Sequence, residues 1–234
     1  MSKVNELTYD VREAIKEFID DTELDDRYII YLYNIKRAKY LRQDLNNYLR
    51  TNDNSILQTL CLEVEKVSED ECGFITDCKY IMRTKQPIPT PLELHTKVAI
   101  TKVKPTNKTS IPFNFITKDK VPYISGSMFS SSIYAFLDND NYIYLVSNNN
   151  SYFLLECISV TGVFEDPLEL SNYSNCCGCT STDSTCFDID ATEYPLQPHY
   201  VDLIRKEIVN DLIFTKNIPE DRENNSTDEE IQRR

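Results

Sequence analysis

"LQTLCLEVEKV", residues 57–67, marks a change of period in the chain. Leu60, Leu62 and Val64 fall on one side of an extended backbone, and Cys61, Glu63 and Glu65 on the other. That strict alternation predicts a half-buried strand. Upstream the spacing is helical. Leu7, Val11, Ile15, Phe18 and Ile19 define a first helix, with Thr8 placed to cap it. "DDTELDD", residues 20–26, interrupts the pattern. A second helix then carries the stripe Tyr28, Leu32, Ile35, Ala38, Leu41, Leu45 and Leu49, with Lys36, Arg37, Lys39, Arg42 and Arg50 on its other faces. Basic residues opposite an apolar stripe are the usual solvated face of an amphipathic helix.

Downstream of residue 57 the strand pattern dominates. Further strands are expected at 80–84, 97–104, 111–117, 133–137, 142–147, 152–159 and 162–165. The chain has only four glycines, so Asn and Asp must supply many of its positive-φ turns. "DNDN" at 138–141 and "SNNNS" at 147–151 have that chemistry, and residues 133–158 read as a three-strand meander joined by these two turns. Helical spacing resumes at 198–214, with Val201, Ile204, Ile208 and Leu212 on one stripe. Residues 216–234 are polar and acidic and cannot form their own core.

The expected fold is therefore α+β: an N-terminal helix pair, a central mostly antiparallel sheet, a C-terminal helix and an extended polar tail. The expected organisation is one domain over 1–215. It comprises a helical part at 1–52, a mainly β part at 56–166, a Cys-rich loop at 167–197 and a helix at 198–215, with the tail at 216–234.

The 234 residues suffice for a real core without metals or disulfides. No run approaches the ~18 consecutive apolar residues of a membrane span. The N-terminus lacks the apolar core and cleavage site of a signal peptide, so synthesis in a cytosol is expected and the eight cysteines should begin reduced. A net charge of −13 opposes a dedicated nucleic-acid binder and suits a basic partner surface.

The sharpest chemical signal is "NCCGCTSTDSTCFDID", residues 175–190. Cys176, Cys177, Cys179 and Cys186 crowd into eleven positions, in the way a tetrahedral thiolate zinc site begins. The fourth ligand would be Cys72, Cys78 or His199, but a second CxxC is missing. A structural zinc, a disulfide formed after release from the cell, and unpaired thiols in a packed loop are the three readings. A zinc-binding interaction module centred on this cluster is the alternative function.

No GxSxG, P-loop, GxGxxG or HExxH occurs, and neither His95 nor His199 sits in a recognisable nucleophile motif, so no catalytic residue is assigned. Fifteen tyrosines, several within "RYIIYLYNIKRAKYL", favour a protein that makes interfaces. The interface candidates are Tyr28, Tyr33, Arg37, Tyr40 and Arg42 on the second helix, and Tyr200, Ile204, Ile208 and Phe214 on the last.

Several stretches together carry a resemblance: "LTYDVREAIKEFIDD", "YIIYLYNIKRAKYLRQDLN", "LEVEKVSEDECGF", "RTKQPIP", "YAFLDNDNYIYLVS", "GVFEDP", "EYPLQPHYVDLIRKEIV" and "IPEDRENNSTDE". Spread over nearly the whole chain, they resemble virion structural proteins of crAss-like and related tailed phages of Bacteroidetes. The resemblance implies a neck component of the virion: a ring or head–tail adaptor protein stacked beneath the portal. It also implies a homo-oligomer following the portal's twelvefold symmetry, with the portal and other neck or tail proteins as partners and with DNA passing through the channel. Neither a cofactor nor a membrane is implied.

Overall fold

The computed structural model describes residues 2–16, 24–47, 54–68, 76, 78, 80–106, 111–124, 132–148, 154–173 and 190–216. Its elements in chain order are α1 (Val4–Lys16), α2 (Asp26–Asn46), β1 (Gln58–Lys66), β2 (Tyr80–Thr84), β3 (Ile100–Pro105), β4 (Asn114–Phe115), a 3-10 helix (Lys118–Tyr123), β5 (Tyr134–Leu137), β6 (Ile143–Ser147), β7 (Cys157–Gly162), a second 3-10 helix (Glu169–Asn172) and α3 (Pro198–Lys216). The α+β expectation holds. Contacts group the chain into two compact units: Met1–Arg37 with Asp190–Arg234, and Ala38–Ile189. The division falls inside α2.

The second unit is a seven-stranded sheet in the order β3-β7-β1-β2-β6-β5-β4, antiparallel except for the β4–β5 pair. Its two edges come together: the Phe113 N–H, one residue before β4, donates to the Val103 carbonyl of β3 at 2.7 Å. The sheet thus curls into a barrel. One apolar cluster fills it, drawing Leu60, Leu62 and Val64 from β1, Val103 from β3, Ile143 and Leu145 from β6, and Ile158 and Val160 from β7. The inward set of β1 is the one its alternation predicts. On the outer surface, Val121 of the first 3-10 helix joins Ile81, Phe136, Tyr144 and Val146. Elsewhere Ala38 and Leu41 of α2 pack with Ile56, Leu92, Ala99 and Val163.

The meander expectation fails at its third strand. β5 and β6 form the expected hairpin, but β7 leaves them and pairs with β1 on one side and β3 on the other. A two-residue turn would force neighbouring strands to pair; the nine residues between Ser147 and Cys157 do not. The strand expected at 152–159 is displaced to Cys157–Gly162, and 162–165 is not a strand, although Phe164 makes an isolated bridge with Pro91. The expected 97–104 and 111–117 strands shorten to Ile100–Pro105 and Asn114–Phe115. Asn141 does adopt positive φ, at 61°, where "DNDN" was read as a turn. Gly162 lies between β1 and β3 with no room for a side chain, since a Cβ there would meet the Ala99 carbonyl at 2.8 Å. Cys61 of β1 and Cys157 of β7 are both disulfide-bonded.

The first unit is helical. The N-terminal strap is tied to the chain before α3: Val4 N–H donates to Thr192 O, Asn5 N–H to Asp190 O and Tyr194 N–H to Ser2 O. Thr8 does not cap α1. The helix begins at Val4, where the Glu6 carboxylate accepts the Lys3 N–H, and the Thr8 hydroxyl donates within the helix to Asn5 O. This is half of a capping box one turn earlier than expected. Pro198 opens α3, at the position where its missing N–H costs nothing.

Candidate assembly surface

In its first half α2 buries Ile29, Tyr33 and Arg37, not the expected Tyr28, Leu32 and Ile35. These three recur every four residues, so they form one stripe. The Arg37 guanidinium is fully buried. Its Nε donates to the Pro195 carbonyl at 2.9 Å, and its carbon lies 5.9 Å from the centre of the Tyr194 ring. Tyr194 in turn donates its hydroxyl proton to Asn34 Oδ1 at 2.6 Å and meets Tyr33 edge to face. A buried cation survives only when it is hydrogen-bonded and matched with carbonyl or π density. Burial pushes the Tyr33 hydroxyl well above the ordinary tyrosine range.

This rotation of the stripe turns other side chains outward. Tyr28 and Tyr31 stack with ring centres 6.5 Å apart and, with Ile35, stand exposed on α2. Leu203 and Phe214 are exposed on α3, one of them to 75%. Lys36 forms ion pairs with Glu207 at 3.2 Å and Asp211 at 2.6 Å. Lys36 thus ties α2 to α3 through matched charges, and the exposed large side chains of both helices are aromatic and aliphatic. Aromatic side chains of this kind anchor protein–protein interfaces.

Four interface candidates read from the sequence are corrected by burial. Tyr33, Arg37, Ile204 and Ile208 point inward and hold the unit together. Tyr28 and Phe214 are exposed; Tyr40, Arg42 and Tyr200 are half-buried, and Arg42 is ion-paired with Glu165. Tyr31, Ile35 and Leu203 were missed. The helical stripe was phased on Tyr28, and a polar Arg at 37 concealed the true buried face.

Cys176, Cys177, Cys179, Cys186 and Cys72 lie outside the described residues. Cys78, proposed as a fourth metal ligand, is a buried free thiol in the outer apolar cluster, and its N–H donates to the Thr76 hydroxyl. His95 and His199 are exposed. Among the described residues no three His, Cys, Asp or Glu side chains converge as a metal site would require. A cleft of about 550 Å³ opens between α1 and α3, lined by Asp10, Glu13, Ala14, Arg205, Lys206, Val209 and Asn210. It offers charges of both signs but no serine, cysteine or histidine. No described helix is long and apolar enough to cross a membrane.

What these residues offer is exposed aromatic and aliphatic surface. The chain belongs to the phage tail ring protein 2 family, whose model matches residues 6–230. It is also 25% identical over 229 residues, 96% of either chain, to Ring protein 2 of Bacteroides phage crAss001.

Proposed function

We propose that the protein is a ring-forming virion component of the neck, an adaptor that assembles beneath the portal and joins capsid to tail around the DNA channel. The observation that carries this reading is family membership along nearly the whole chain, supported by the exposed Tyr28–Tyr31–Ile35 and Leu203–Phe214 face. A cyclic ring uses heterologous contacts, so each copy needs two different patches. The helical face is proposed as one of them. Twelve copies would match a twelvefold portal. The net charge of −13 favours an acidic lumen through which DNA slides without adhering.

The test is the size of the purified chain in solution, alone and with the cognate portal. A defined ring, or a ring formed on the portal, is expected. A chain that stays monomeric and ignores the portal removes the adaptor reading, and a lumen lined with Lys and Arg removes the acidic-channel part. Tyr31→Ser with Phe214→Ser should weaken assembly while leaving the unfolding midpoint nearly unchanged, because both side chains are solvent-exposed in the single copy.

A further inference from the structure

Charge is unevenly spread along this chain. Residues 94–137 contain six lysines and one acid, Asp119, a net of +5 inside a chain of −13; the remainder therefore carries −18. The basic stretch supplies β3, β4, the first 3-10 helix and β5, all in the barrel unit. Lys102 and Lys104 flank Val103, which is buried in the barrel and whose carbonyl closes the β3–β4 seam. Strand alternation sends both lysines to the outside. Lys120 is exposed on the 3-10 helix that follows β4, and Ile111 and Tyr123 are exposed along the same stretch.

Cations elsewhere are mostly matched. Arg12 pairs with Asp26, Lys36 with Glu207 and Asp211, Arg83 with Glu65, and Lys85 with Glu63. Within the basic stretch Lys118 pairs with Asp138, while Lys102, Lys104 and Lys120 make no ion pair among the described residues. An unmatched cationic strip on a strongly anionic protein fits an anionic occupant. The chain supplies one. Residues 220–230 hold six acids against Arg222, a net of −5. They follow α3, which ends at Lys216, and the eighteen residues after 216 reach about 60 Å when extended.

We propose that the basic strip on the β3–β4 seam of one copy receives the acidic C-terminal segment, residues 217–234, of a neighbouring copy. The proposal rests on the ring reading and names its second patch. A long polyanion such as DNA is the poorer match, because it would also meet the −18 on the rest of the chain. The segment, at −5 over residues 220–230 and −3 over the whole of 217–234, is short enough to meet only the strip.

The experiment mixes isotopically heavy and light full-length chains under assembly conditions and joins touching Lys and carboxylate side chains with a zero-length carbodiimide. Heavy–light cross-links from Lys102, Lys104 or Lys120 to residues 220–230 are expected. Their absence in an assembled ring overturns the proposal and leaves the ring standing. Links found only within one isotope also overturn it, since the segment would then bind its own copy. A chain that never assembles removes both readings. In parallel, full-length K102E/K104E/K120E should raise the dissociation constant of assembly about tenfold, as loss of several exposed charge pairs implies. Its unfolding midpoint should be unchanged. Reversing the charge of Glu220, Asp221 and Glu223 in that variant should restore assembly. Failure of the rescue, or tight duplex DNA binding by the wild type that the lysine changes abolish, overturns the tail as occupant.

Discussion

The two units bury different kinds of side chain. In the barrel the main cluster is wholly apolar, and the inward residues of β1 alternate with outward ones. The helical unit buries Arg37, Tyr33 and Tyr194 among its largest core side chains. Yet among the described residues six of the nine exposed large apolar side chains, Tyr9, Tyr28, Tyr31, Ile35, Leu203 and Phe214, belong to this smaller unit. The barrel exposes Ile111, Tyr123 and Leu154, half as many from the larger unit. The helical unit buries a cation and two tyrosines and leaves aromatic side chains exposed, the pattern expected of surface kept for a partner.

The contrast can be broken most forcefully in the barrel. Leu145→Ala should cost about 2–5 kcal/mol, because a closed apolar interior collapses poorly around a missing side chain. Denaturant unfolding followed by far-UV circular dichroism measures it, and a cost below 1 kcal/mol would show that the barrel core is not tightly packed. Gly162→Ala should cost about 1–3 kcal/mol, since its Cβ would press on the Ala99 backbone. A neutral result would mean that β3 gives way easily at the seam of strands.

In the helical unit the expected sign reverses. Tyr33 Oη is buried with no hydrogen-bond partner among the described residues. Tyr33→Phe should therefore leave stability unchanged or raise it by up to about 1 kcal/mol. A clear loss would reveal a partner for that hydroxyl. The smallest effect concerns Lys36. Its hydrogen bonds to Asp211 and then Glu207 hold its ammonium pKa above the ordinary 10.5. A raised folded-state value means that the pair stabilises fully below pH 10.5 and fades as pH climbs through the raised value. The stability difference between wild type and Lys36→Met should shrink between pH 9 and the alkaline limit, and a difference that grows there contradicts the pairing.

Periodicity revealed the parts of the fold that obey one local rule. β1 was legible because its alternation agrees with its burial, and β5 and β6 because an Asn/Asp turn joins two short strand-forming runs. β7 was not, because its partners are distant in sequence and no local pattern names them. The buried stripe of α2 was misphased in its first half, because a packed Arg37 looks like solvent-facing charge until the Pro195 carbonyl is seen beside it. For the candidate surface, composition pointed to tyrosines; on α2 Tyr28 and Tyr31 stand exposed, whereas on α3 the exposed large side chains are Leu203 and Phe214. Which tyrosines face outward was decided by tertiary packing. The basic strip was overlooked for a similar reason: a net charge of −13 conceals a local excess of +5.

The meeting of β3 and β4 has a consequence for a protein gathered in many copies. An open sheet edge is a row of unanswered backbone donors and acceptors, and crowding such edges invites strands of one molecule to add to the next. Here the Val103 carbonyl is already occupied by Phe113 of the same chain. An edge closed in this way by its own chain offers a neighbouring copy less of a template for strand addition, which disfavours growth into fibres.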